Sequence, residues 1–164
     1  MMAELWDVDM PFESSWTVAS DDEDGLMAKV ELMGLDEVQA RKKLVISGST
    51  YSEWLECLPR QPFQFYLKVL LQYLLSEASE GDFGISSSLF SFLPRKIEKC
   101  PECFDGIKGR LLEALFKIAG RQEYFDADID IFGSFHKRAL EISSLMNNPH
   151  KSELVLSGPP TRNS

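Results

Sequence analysis

Two cysteines stand two residues apart in Cys100-Pro101-Glu102-Cys103, the arrangement in this chain most able to do chemistry. Paired thiolates at that spacing supply half of a tetrahedral zinc site, but a closed structural site takes four ligands. The other soft ligands are Cys57, His136 and His150, and none of them sits in a second paired motif. Cys100 and Cys103 are therefore the only metal candidates, and no metal or other cofactor is assigned. A redox pair would be expected at a helix start after a strand, where the helix dipole lowers a thiol pKa. Here the motif follows residues 96–99 in what reads as a loop, so ordinary thiols are expected.

The series Asp126, Asp128, Asp130 resembles the opening of a calcium loop. The sixth position is Ile131 where glycine is needed, and the twelfth is Lys137 where a bidentate Glu is needed. The wet face of a strand explains the spacing better. Neither Gly-rich phosphate-binding pattern occurs, and no Ser or Cys lies in a nucleophile-elbow context. His136 is expected near a helix start on the surface, and His150 in a loose tail. No pair of carboxylates is set in opposed environments. The expectation is a protein that binds macromolecules and is not an enzyme.

The elements that would carry these residues are legible from periodicity. Residues 28–33 (AKVELM) alternate as a strand does, with Lys29 and Glu31 on the wet face. Residues 35–43 read as a short helix and 43–47 as a further strand or a helix end. Thr50 with Glu53 three residues on opens a helix over 51–58. Pro62 stands near the start of a second helix, 63–77, in which Phe63, Tyr66, Leu67, Leu70, Leu71, Leu74 and Leu75 form a wide apolar stripe. Residues 80–88 read as a loop, and 89–93 as a short apolar segment stopped by Pro94. Helices are expected over 107–119 and 135–146. Residues 124–132 read as a strand, with Phe125, Ala127, Ile129 and Ile131 alternating with acids. The predicted class is α+β, a single compact domain in which a small sheet packs with several helices.

At 164 residues the chain fits one domain. The odd count of 3 Cys argues against a secreted disulfide scaffold, and a reducing compartment is expected. The start, MMAELWDVDMPFESSW, lacks the basic residues and apolar run of a signal peptide. The apolar stretch over 63–75 is broken by Gln64, Lys68 and Gln72 and is too polar to span a bilayer. The expected locations are neither secreted nor transmembrane.

Charge is uneven. Of the net −9, the segment before Lys29 holds 8 of the 26 acids and no base, which leaves 18 acids against 17 bases in the rest. Three units follow: residues 1–26 as a flexible acidic arm, 27–146 as the globular domain and 147–164 as a loose tail. Leu5, Trp6, Phe12 and Trp16 lie among the acids of the arm. They are expected either to dock on a partner or sister subunit, or to cover the protein's own core. The basic residues Arg41, Lys42, Lys43, Arg95 and Lys96 would make a patch for anionic lipid or phosphate if they converged; apart, they are solvated clusters. Lys99 and the run His136-Lys137-Arg138 are the other basic positions. Sequence-specific nucleic-acid binding is not expected.

From Ala28 onward the order of pieces resembles the globular domain of rhabdovirus matrix proteins. The matching pieces are the strand at 28–33 and Thr50-Tyr51-Ser52-Glu53, then Pro62-Phe63-Gln64-Phe65-Tyr66-Leu67-Lys68. Further on come the turn Phe92-Leu93-Pro94-Arg95 and the closing strand and helix after Phe125. The acidic arm and Pro159-Pro160-Thr161-Arg162 differ from the basic arm and PPxY motif of the better-known members. The short matrix proteins of plant-infecting, cytorhabdovirus-like relatives are the nearer comparison. The resemblance implies a virion structural protein of the virion and host cytoplasm that self-associates and links the viral nucleoprotein peripherally to an anionic membrane during assembly and budding. It also implies that Trp6, Phe12 and Trp16 dock on a neighbouring subunit. The other reading is a soluble intracellular adaptor or regulator that binds its partner through the same acidic aromatic segment.

Overall fold

The computed structural model describes residues 5–148, and among them every regular element is a helix. Eight α-helices follow one another: α1 (Glu23–Leu32), α2 (Glu37–Ser47), α3 (Thr50–Glu56), α4 (Arg60–Leu75), α5 (Phe83–Lys99), α6 (Lys108–Ala119), α7 (Ile129–Phe132) and α8 (Phe135–Asn147). Short 3-10 turns lie at Glu13–Ser15, Glu77–Ser79 and Pro101–Phe104. The expected α+β class is thus corrected to all-α.

Each missing strand has a local cause. Residues 28–33 lie in α1, where Ala28 and Leu32 face the core at helical spacing while Val30 points outward and is 78% exposed. Apolar residues on both faces of a helix imitate strand alternation. At 124–132 the alternation fails in three dimensions: Phe125 and Ala127 are buried, but Ile129 and Ile131 are exposed. The left-handed backbone at Asp126 turns the chain, and the Asp128 carboxylate then accepts from the Asp130 N–H to start α7. The segment 43–47 belongs to α2, and the expected loop at 80–88 already contains the start of α5, capped by Asp82.

Pro94 lies inside α5 and does not end it. A proline within a helix removes one backbone hydrogen bond, at a cost of about 3 kcal/mol. Burial of Ile85, Leu89, Phe90, Phe92, Leu93 and Ile97 on the same helix outweighs that, at roughly 2 kcal/mol for each large side chain.

α4 lies at the centre, with buried residues on several of its faces from Phe63 to Leu74. It packs against α2, α3, α6 and the 101–104 turn, and α8 closes the far side against α5 and α6. Amino ends are capped locally by Asp22, Asp36, Asp82, Asp128 and Ser134, with Asp36 and Gln39 forming a full capping box. Carboxyl ends are closed from a distance. The Tyr66 hydroxyl shares its proton between the carbonyls of Leu32, the last residue of α1, and Leu35, at 2.7 and 2.8 Å. The Arg121 guanidinium donates to Leu74 and Ser76 at the end of α4, at 2.9 and 3.0 Å. The Lys96 ammonium, from α5, donates to Glu56 and Leu58 at the end of α3, at 3.0 and 2.6 Å.

Lys96 is 3% exposed and also stands 5.0 Å over the Phe63 ring. Burial first, and nearby Lys99 second, push its pKa from 10.5 down to about 8. Below pH 8 the buried charge weighs fully against folding. That penalty is relieved as pH rises from about 8 toward 10.5, where the unfolded chain still holds the proton and the folded one releases it. The neutral amine keeps two N–H groups for its two carbonyls. K96M should lose both bonds and cost about 2–3 kcal/mol near neutral pH by urea denaturation. Across pH 8 to 10.5 the wild type should gain stability relative to K96M; a flat difference would exclude this titration.

Candidate functional site

The four aromatic-arm candidates separate when placed in space. Trp6 and Trp16 are 6% and 3% exposed and belong to the chain's own core. The Trp6 indole N–H donates to the Gln64 carbonyl of α4 at 3.1 Å, and the Trp16 ring lies 5.7 Å from that of Tyr66. Leu5 is half-buried against the same core, while Phe12 is exposed. Residues 5–16 are therefore a strap across α4, not a free arm. Two indoles with an apolar seat on their own helix gain more by covering it than by waiting for a partner. Further along, Asp22 caps α1, and Glu23 and Asp24 fill its first turn, where the helix dipole favours negative charge. Just after the strap, Val18 lies against the buried Gly25 of α1, where any side chain would collide with Val18 and the Asp22 carboxylate.

The basic candidates do not form a phosphate or membrane patch. Lys96 is buried. Arg95 makes a two-pronged ion pair with Glu56 at 2.7 and 3.1 Å. Arg41 donates to the Ser76 hydroxyl at 3.0 Å and lies against the Tyr73 ring. Lys43 pairs with Glu31 of α1 and lies over Trp54. Lys42 and Arg95 are the exposed members of the five, and Arg95 is paired. Apart from Lys42, each is held by the chain itself.

Cys100 and Cys103 are bonded to each other as a disulfide, so they present no thiolate pair to a metal. No group of three or more His, Cys, Asp or Glu side chains able to hold a metal ion occurs among the described residues. His136 is exposed on the first turn of α8, edge-on to Phe116. His150 and residues 149–164 of the expected tail lie outside the described residues.

Periodicity gave no sign of the surface that emerges on the first two helices. On α1, Leu26, Val30 and Met33 follow one another at four and three residues, opposite the buried Ala28 and Leu32, with Met27 beside them. On α2, Val38 and Val45 take the same outward spacing around Lys42, opposite the buried Ala40 and Leu44, with Ile46 beside them. Val30 and Ile46 are 78% and 84% exposed, far above what an aliphatic residue with a packing partner shows. Glu23 stands on the outward side of α1 as Lys42 stands on that of α2. These helices thus carry aliphatic ridges flanked by exposed charge, Glu23 and Asp24 on α1 and Glu37 and Lys42 on α2. Such a surface can do no bond-making chemistry. It can bury area against another apolar surface.

Comparison with known protein families, with curated proteins and with solved structures finds no match to this chain. No described helix is long and apolar enough to cross a membrane.

Truncating Trp16 to alanine should destabilise the fold by about 3–5 kcal/mol in urea denaturation, as for a large core residue. Removing residues 5–20 should lower the thermal midpoint sharply. A truncated chain as stable as the full one would restore the free-arm picture.

Proposed function

We propose that this protein is a non-enzymatic assembly protein that works by self-association through the outward faces of α1 and α2. The observation that carries the reading is the matched pair of faces. Val38-Lys42-Val45 on α2 repeats the spacing of Leu26-Val30-Met33 on α1.

A two-fold contact places the same patch on both partners, so that residue i meets j and j meets i. Laying α1 of one copy on α2 of the other joins their aliphatic ridges twice. Self-association is also what the matrix-protein resemblance implies, and that reading of the chain as a virion component rests on the order of its motifs. Its expected strands are helical here, so the support comes from the surface and not from a shared sheet. The adaptor reading is less favoured, because the aromatic segment it needs is seated on α4.

Sedimentation equilibrium over a range of protein concentrations tests the proposal. The wild type should show reversible association, and V30D with I46D should weaken it at least tenfold, about 1.4 kcal/mol, with an unchanged circular dichroism spectrum. A wild type that stays monomeric throughout would overturn the reading, as would a V30D/I46D variant that associates as tightly as the wild type.

A further inference from the structure

We infer that Cys100 and Cys103 are a redox-active pair that exchanges with a low-molecular-weight thiol of the glutathione type, Cys100 being the sulfur attacked and Cys103 the resolving one.

The bond does little to hold the fold. It joins residues only 3 apart in sequence, and the entropic contribution of a cross-link falls with the length of the loop it closes, from about 3 kcal/mol at 15 residues. The turn it spans is also fastened by other means. The Cys103 N–H donates to the Cys100 carbonyl at 3.0 Å. The Gln64 side-chain amide of α4 donates to the carbonyls of Cys103 and Asp105 at 2.9 and 3.0 Å. The Phe104 ring packs edge-on to Phe63 at 5.2 Å. Those fastenings survive reduction, so the two sulfurs remain close enough to close again, with Pro101 restricting the backbone between them.

The two sulfurs are not equivalent. Cys103 is fully buried, whereas Cys100, the last cap of α5, is half-buried and follows the exposed Lys99. Solvent reaches the Cys100 side of the bond, and none reaches Cys103. That asymmetry is what an exchanging pair needs, since an attacked cysteine must be reachable and its partner must wait nearby.

The exchange balances as follows. A glutathione thiolate attacks Sγ of Cys100, forming a new S–S bond there. The Cys100–Cys103 bond breaks and its electron pair leaves on Sγ of Cys103, which takes a proton from water. A second glutathione thiolate attacks the glutathione sulfur of the mixed disulfide. Oxidised glutathione leaves, and the released Cys100 thiolate is protonated. Two electrons pass from two glutathione molecules to the pair, and oxidised glutathione reverses each step.

The test uses the full chain carrying C57S, which removes the third thiol. It is equilibrated with mixtures of reduced and oxidised glutathione, alkylated and weighed. The pair should convert between disulfide and dithiol across the mixtures while the thermal midpoint stays nearly constant. Under oxidised glutathione, C57S/C103S should take one glutathione on Cys100 at least tenfold faster than C57S/C100S takes one on Cys103. A pair that remains oxidised in every mixture would sink the proposal, and so would loss of the fold on reduction. Equal adduct rates at the two positions would also remove it. Where a single-cysteine variant does not fold, the C57S titration alone decides.

Discussion

A buried helix end leaves carbonyls that must find donors, and in this molecule the donors come from remote side chains. Lys96 closes α3 from α5, Arg121 closes α4 from beyond α6, and Tyr66 closes α1 from α4. An unsatisfied buried carbonyl costs about 1–3 kcal/mol, so each of these contacts ties two elements in a fixed relation. Lys96 is the most constrained, because its ammonium can reach Glu56 and Leu58 only if α5 continues unbroken past Pro94. The helix therefore crosses a proline that would ordinarily end it. Arg121 is held in turn over the rings of Tyr124 and Phe125, which fixes where the chain leaves α6. No described buried side-chain N or O atom lacks a partner.

Helical periodicity carried the middle and end of the chain. The stripe over 63–75 is α4, the stripe over 107–119 is α6, and the helix after Gly133-Ser134 is α8 with Ser134 as its cap. The rest misled for physical reasons that can be named. α1 carries aliphatic residues outward as well as inward, which erases the 3.6-residue signal and leaves an apparent alternation, whereas the helix read over 35–43 is present as α2. Pro94 gave a stop signal that tertiary burial overrides. In the region 121–135 one side chain, Gln122, organises the backbone: its amide donates to Ala127 and Gly133 and its oxygen accepts from Phe135. Nothing local in sequence marks a glutamine for that work. The acids around Asp22 were visible, but their service as a helix start was not, because the helix itself was read as a strand.

The same misreading hid the candidate surface. The segment that looked fit to reach outward, with its two tryptophans, is used inside the molecule. The segment read as a strand, 28–33, carries part of the exposed aliphatic surface, and the rest lies beside it on α1 and on α2. What distinguishes them is the seat: α4 offers apolar cover to Trp6 and Trp16, and the outward sides of α1 and α2 meet nothing in the same chain. The basic residues follow a similar rule, since four of the five expected at a phosphate surface are consumed by helix ends, carboxylates and aromatic rings.

Gln64 joins regions of the chain that are far apart in order of synthesis. Its backbone carbonyl receives the Trp6 indole, and its side chain holds the turn at Cys103 and Asp105. During translation, residues 5–16 therefore have no resting place until the central helix exists, and that helix is not anchored until residue 105 has left the ribosome. The two tryptophans thus stay unseated while residues 17–105 are made, at about 5–20 residues per second, with Asp7, Asp9 and Glu13 beside them in the chain.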